Sequence, residues 1–178
     1  MNKLDSSRTA LVVVDLQDAF AKAIPDFAEI AAAAGTLAEG AGALGLPVAV
    51  TEQYPQGLGA TVPAVADHLP PGTEPRAKVR FSAAEAEGFD LGGSGQALVC
   101  GIEAHVCVNQ TVLDLLSQGL EVHVARDAVG SRTTENRDLG LDKMEAAGAV
   151  ITSVETALFE LLGGSDHPAF KKVQALIK

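Results

Sequence analysis

Apolar residues along this chain come in short unbroken runs rather than in strict alternation with polar ones. Thr9–Val14 (TALVVV), Pro47–Thr51 (PVAVT), Gln96–Cys100 (QALVC), Leu120–Ala125 (LEVHVA) and Ala149–Thr152 (AVIT) are such runs, bounded by Gly, Pro or Asp. Short runs rich in β-branched residues predict strands covered on both faces. A further short strand near Ala77–Val79 is expected at a sheet edge. The intervening segments are longer and read as helices. Phe27–Leu46 is rich in Ala, Leu and Glu, and Val106–Gln118 carries Val108, Val112, Leu115 and Leu116 at helical spacing. Glu135–Ala147 follows Thr133-Thr134, an N-cap region. Val154–Leu161 and Ala169–Ile177 close the chain. Gly45, Gly119 and Gly148 sit where left-handed C-caps belong, each just ahead of a strand.

Repeated strand–helix–strand alternation calls for a parallel sheet with helices on both faces, wound by right-handed crossovers. The expectation is an α/β protein with a three-layer α/β/α doubly wound fold, a mainly parallel six-stranded sheet and one domain over residues 1–178. The Pro- and Gly-rich stretch Tyr54–Arg76 is the longest irregular region and reads as a site or interface loop. In such a sheet ligands bind at the carboxyl ends of the strands. That rule selects Asp15 and Gln17, then Glu52 and Gln53, then Gly101–Cys107, then Asp127, together with Lys78 if the edge strand forms.

Composition narrows the partners. Thirteen basic and 23 acidic residues give a formal charge of −10, and no basic stripe is visible, so a nucleic-acid partner is not expected. The first residues lack a leader pattern and no apolar run is long enough for a bilayer, which predicts a cytoplasmic protein without a membrane partner. Cys100 and Cys107, seven residues apart, do not make a disulfide framework. No GxGxxG follows the first strand, where Asp15–Phe20 stands instead, and no cofactor is expected.

Three residues are candidates for chemistry. Cys107 falls where a strand turns into a helix. Unpaired N–H groups and the helix dipole there lower a thiol pKa, and the same N–H groups suit an oxyanion. A cysteine in that place reads equally well as a small core residue. Asp15 ends the first strand, either as a cap or as a carboxylate able to take a thiol proton. Lys78 is a surface charge or a cation that stabilises thiolate and carboxylate.

Taken in order, VVVDLQDAF, VTEQYPQGLG, AKVRFSA and GIEAHVCVNQT resemble the successive signatures of the isochorismatase-like cysteine hydrolases, and the tail from RDAVGSRTTENRDLG onward is similar to theirs. The likeness is greatest to the branch of isochorismatase-domain proteins, with nicotinamidases and isochorismatases proper more distant. The resemblance implies a catalytic triad of Asp15, Lys78 and Cys107 that hydrolyses an amide-type C–N or ester bond of a small molecule through a thioester. It also implies a non-proline cis peptide at Ile102–Glu103, and an oxyanion hole from the Glu103 and Cys107 N–H groups. Homo-oligomers are usual in the superfamily, which implies one here. Nicotinamidases carry an Asp-x-His metal motif. Here Thr51-Glu52-Gln53-Tyr54-Pro55 stands in its place and His68 is alone, so no metal is expected.

Gln17, Phe20, Gln53, Tyr54 and Phe81 are candidates for the substrate pocket. Tyr54 reads equally as loop packing, and Phe20 as core or pocket wall. His105 suggests a Cys–His dyad unless it turns away, and Glu103 suits a hydrogen bond to its loop. Cys100, inside a strand, is expected to be inert core. The Asp127–Thr134 segment is expected to shape the site rim or a subunit contact. Two other classes stay open: a non-catalytic oligomeric binding or scaffold protein, and a nucleotide or flavin binder.

Overall fold

The structure is a computed structural model that describes residues 3–177. Six strands form one sheet: β1 (Thr9–Val14), β2 (Val48–Gln53), β3 (Arg76–Lys78), β4 (Gln96–Ile102), β5 (Glu121–Gly130) and β6 (Val150–Thr152). Their spatial order is β3-β2-β1-β4-β5-β6, and every neighbouring pair is parallel. The chain starts at the centre, walks out to β3, then crosses back to lay β4 on the other side of β1. The strand order therefore reverses between β1 and β4, and a crevice opens there at the carboxyl ends.

Helices cover both faces. On one side α1 (Phe27–Leu44), α6 (Val154–Leu162) and α7 (Phe170–Leu176) pack through Leu37, Leu158 and Val173 onto Leu11, Val13 and Leu98. On the other, α4 (Asn109–Ser117) and α5 (Thr134–Ala146) pack through Val112, Leu115, Leu141 and Met144 onto Val12, Val14, Val99 and Val124. Odd and even positions of one strand thus feed different cores, which is why the strands read as continuous apolar runs. The expected layered fold is the one observed. Gly45 ends α1 with φ 71°, and Thr133 caps α5 by accepting from the Asn136 N–H.

Several bounds differ from expectation. β2 runs on through Glu52 and Gln53, because Thr51–Gln53 are the residues that pair with β3. β5 continues to Gly130: its register with β4 jumps from Val99↔Val124 to Gly101↔Val129, and the extra residues bow outward with Arg126 and Asp127. The stretch read as irregular contains two short helices, α2 (Pro55–Leu58) and α3 (Pro63–Ala66), each opened by a proline that lacks the N–H a first turn leaves unpaired. The helix expected from Val106 starts earlier, with a π-helical turn over Ala104–Val108 that leads into α4.

Two glycines let backbones approach at the crevice. A Cβ on Gly101, which has φ 122°, would stand 2.0 Å from the Val14 carbonyl oxygen. One on Gly140 of α5 would stand 2.6 Å from the Ala104 carbonyl oxygen. Any side chain at either place would push β1 or α5 away from the turn that carries Cys107. Among the described residues, no helix is long and apolar enough to cross a membrane.

Candidate active site

Asp15 leaves β1 at the strand-order reversal with φ 54°, a left-handed conformation that aspartate tolerates better than most residues. Its N–H donates to Thr51 O at 3.1 Å, and its own carbonyl accepts from Gln17 N at 2.8 Å, so the tight bend is held on both sides. The bend turns the carboxylate inward. Oδ1 accepts from the Thr51 hydroxyl at 2.9 Å and Oδ2 accepts from Lys78 Nζ at 2.6 Å. Both side chains of the ion pair are almost wholly removed from solvent, at 1% exposure each.

Lys78 ends β3 and reaches back under β2. Besides Asp15, its ammonium donates to Gln53 Oε1 at 2.7 Å, Phe81 O at 2.9 Å and Arg80 O at 3.3 Å. A buried ammonium is tolerable only when oxygens replace its lost water, and here four of them do.

Cys107 lies in the π-helical turn after β4, buried but not sealed. The turn is closed by Val106 N and Val108 N, which donate to Glu103 O at 2.9 and 3.2 Å. The peptide between Ile102 and Glu103 is cis. The thiol lies within hydrogen-bonding reach of both Asp15 and Lys78. Residues from the ends of three strands thus meet at one point. Thr111, one turn further on, donates its hydroxyl to Cys107 O at 2.7 Å and accepts from Ala83 N at 2.8 Å, which joins the Cys107 turn to the segment beyond Lys78.

The electrostatics correct one expectation. Placement at a helix start predicts an acidified thiol, yet burial pushes the Cys107 thiol up to about 12, with the Asp15 anion adding to it and Lys78 opposing. Desolvation and a carboxylate in contact outweigh a single turn's dipole. Burial also raises Asp15 above the ordinary carboxylate value, against the pull of Lys78 and of its hydrogen bonds. Both shifts have the same origin, burial that disfavours a charge on either group.

The candidate pocket residues divide. Gln17 is wholly buried, and its amide is engaged by backbone: Nε2 donates to Gln53 O and Gly59 O, and Oε1 accepts from Gln53 N. Its expected contact with substrate is corrected to a role in holding the loop. Gln53 too turns away from a ligand, with Oε1 on Lys78 and Nε2 on Val79 O at 2.9 Å. Phe20 is partly buried against the α1-side core. Tyr54 and the Phe81 ring are exposed, and Tyr54 borders a shallow cleft of about 320 Å³ with Lys78, Val79 and Arg80. Glu103 accepts from the Arg132 N–H at 3.1 Å and from its guanidinium at 2.9 Å, while His105 Nδ1 pairs with Ser131 Oγ at 3.0 Å. Both side chains therefore fasten the 127–134 segment to the Cys107 turn.

The two side chains weighed as metal ligands lie apart. Glu52 accepts from the N–H and hydroxyl of Thr61, and His68 pairs with Glu39 on α1. Among the described residues no group of three or more His, Cys, Asp or Glu side chains could hold a metal ion. The chemical reading of the sequence missed Thr51 and Thr111. A threonine four residues after Cys107 was a visible signal for a bond back to its carbonyl. Nothing local pointed to the second partner of Thr111, or to Thr51.

Comparison with known proteins adds to this geometry. The family model described as the isochorismatase domain matches residues 9–156. Isochorismatase domain-containing protein 1 of Salmo salar is 38% identical over all of this chain, which spans 64% of that protein's length. Among solved structures, the MAR1 ribonuclease of Caenorhabditis elegans superposes with a TM-score of 0.95 at 45% identity, covering 98% of this chain and 92% of that one. YcaC from Pseudomonas aeruginosa, solved with hexane-2,5-diol and covalent acrylamide, gives a TM-score of 0.86 at 26% identity over 98% of this chain and 91% of its own.

Proposed function

This chain belongs to the isochorismatase-domain family, and on that premise we propose that it is a cysteine hydrolase that cleaves an amide-type C–N or ester bond of a small molecule, without a metal, through a thioester on Cys107. One observation carries the reading: the Asp15 carboxylate, held by the Lys78 ammonium at 2.6 Å, lies beside the Cys107 thiol where three strand ends meet.

The proposed sequence follows from that contact. As Sγ attacks the carbonyl carbon, its proton passes to Asp15, so a free thiolate never has to form in a site that disfavours it. Negative charge moves to the carbonyl oxygen, where the N–H groups of Glu103 and Cys107 are the proposed donors. Losing one such donor typically costs about 2.7–4 kcal/mol. On collapse the C–N bond breaks and Asp15 returns the proton to the leaving amine. Water then gives its proton to Asp15 and its oxygen to the thioester carbon, and the departing sulfur regains a proton. Lys78 stays charged throughout and holds the carboxylate in place. The covalent acrylamide of the P. aeruginosa relative fits a reactive nucleophile on this fold. A cytoplasmic location is part of the proposal, since both cysteines are free and buried, which suits a reducing compartment.

The ribonuclease name of the C. elegans relative supplies a second reading to test. A formal charge of −10 opposes a polyanionic substrate, and the triad is built for a carbonyl carbon. Incubation with a panel of small amides, imides and activated esters, followed by peptide mapping, should find an acyl group on Cys107. Hydrolysis without such an adduct, or RNA cleavage that survives Cys107→Ala, would reject the thioester mechanism. No turnover and no adduct with any compound would favour the scaffold reading.

A further inference from the structure

Among the described residues, five buried side-chain polar atoms have no hydrogen-bond partner, on Ser82, Asn109, His123 and Thr152. Of these residues only Ser82 is joined, through its two chain neighbours, both to Lys78 and to the Cys107 turn. Phe81 O accepts from the Lys78 ammonium at 2.9 Å. Ala83 N donates at 2.8 Å to Thr111, whose hydroxyl donates to Cys107 O at 2.7 Å. One peptide unit, about 3.8 Å between Cα atoms, separates Ser82 from each anchor. Its backbone is extended, with φ −68° and ψ 131°, so consecutive side chains there point to opposite sides. The Phe81 ring stands in solvent, and the Ser82 side chain, in a residue 1% exposed, is directed inward.

A serine at this place has an ordinary local use. It precedes the helical turn Ala83–Glu85, where its oxygen could accept from a free N–H of the first turn, yet it makes no such cap. Nor do the neighbouring side chains serve it. The Lys78 ammonium already faces four oxygens, Asp15 accepts from Thr51 and Lys78, and the Thr111 hydroxyl is engaged on both sides. A buried hydroxyl without a partner is a cost that native proteins seldom carry, and a role in the chemistry of a site is one of the few reasons to keep one. Ser82 is thus the uncommitted polar group of this corner, and a hydroxyl can accept as well as donate.

The hydrolase reading, on which this inference rests, fixes which substrate atom comes to that corner. The carbonyl oxygen turns to the Glu103 and Cys107 N–H groups at the end of β4, and the leaving nitrogen turns to Asp15 for its proton. Ser82 follows the carbonyl that holds Lys78 beside Asp15, and so stands on the leaving-group side. We propose that Ser82 Oγ accepts a hydrogen bond from an N–H of the leaving nitrogen and so turns the nitrogen lone pair toward the proton on Asp15. The substrate is then an amide that carries an N–H, rather than an ester. The same contact serves the reverse step, in which an amine attacks the thioester. The nitrogen bonds to the thioester carbon and gives a proton to Asp15, the C–S bond breaks, and the departing sulfur takes that proton.

The reverse step supplies the test. Cys107 is acylated with p-nitrophenyl acetate, whose phenolate leaves without a proton, freed of excess reagent and offered ammonia; acetamide and acetate are then quantified by mass spectrometry. Wild type should form both. Ser82→Ala should lower the acetamide-to-acetate ratio about tenfold, the factor to which the net value of one hydrogen bond corresponds. General damage to the site would slow both products together and leave the ratio alone. Because the hydroxyl has no partner at rest, the variant should match or exceed wild type in its urea midpoint, and methyl methanethiosulfonate should label its Cys107 at the wild-type rate. An unchanged ratio would overturn the proposal. So would a lowered midpoint or altered labelling, either of which would mark Ser82 as structural. A wild type that does not acylate at Cys107 would strike the hydrolase reading and this inference with it.

Discussion

Cys100 and Cys107 stand seven residues apart, yet the sheet separates them, Cys100 in the α1-side core and Cys107 in the α4-side core. Both are buried, and both thiols are pushed up to about 12, chiefly by burial. Each also feels a carboxylate. Asp127 reaches Cys100 only through its field, because its oxygens accept from the Val154 N–H and so tie down the start of α6. Asp15 touches Cys107 and is backed by a lysine. Two sulfurs of similar resting acidity thus differ in one respect, a charge-balanced proton acceptor in contact. On the proposed mechanism, reactivity resides in that acceptor and not in a thiol that is already ionised.

The sharpest break in the comparison is deletion of each sulfur in turn. With p-nitrophenyl acetate as the probe, Cys107→Ala should lower the rate of acyl-enzyme formation by about 10³-fold or more, the scale on which nucleophile losses fall. Cys100→Ala should leave the rate within about threefold, read by the p-nitrophenolate burst and intact mass. Equal losses would erase the distinction.

Next in size is removal of the countercharge. Lys78→Met strands the buried Asp15 carboxylate, and breaking a buried pair from one side typically costs about 3–5 kcal/mol. Urea unfolding should show that loss, and adding Asp15→Asn to the same chain should recover part of it. Little change in the single variant would mean that the pair contributes no more than a surface one.

Asp15→Asn alone separates thiol acidity from catalysis. It removes the anion that raises the Cys107 pKa and keeps the lysine that lowers it. The pH profile of iodoacetamide labelling at Cys107 should therefore move to lower pH while acyl transfer falls. Labelling at Cys100 should not change. A fall in both acyl transfer and labelling would contradict the assigned role.

The smallest effect is on stability in alkali. A thiol that titrates near 9.0 in the unfolded chain and at about 12 when folded contributes its stabilisation fully below 9.0. As pH rises from there toward 12, the unfolded chain sheds protons that the folded one retains, and stability declines. Cys100→Ala removes one of the two contributions, so unfolding midpoints measured across this range should fall less steeply than in wild type.

Much of this architecture was legible in the pattern of apolar runs, since a strand buried on two faces leaves few alternatives for its composition. The residue types of the proposed triad were legible at strand ends, although position alone left each with an ordinary structural reading until the motifs were taken together. The roles of Gln53 and Thr51 were not legible. Gln53 looked like a ligand contact because it lies at the end of β2, but its amide holds Lys78, and that depends on a register between β2 and β3 that no local pattern encodes. Thr51 serves Asp15 only because β1 and β2 pair Val14 with Thr51. The sign of the thiol shift was missed for a related reason: a helix start is visible in sequence, whereas the depth of burial around it depends on the whole fold.

The cage around Lys78 has a consequence for how such a scaffold diversifies. An ammonium has three hydrogens, and this one already faces four oxygens, so none is free for an incoming molecule. Choosing among ligands then falls to other parts of the surface, such as Tyr54 and the Phe81 ring, which stand in solvent. A reactive centre insulated in this way can be inherited unaltered while its periphery is rewritten for new chemistry.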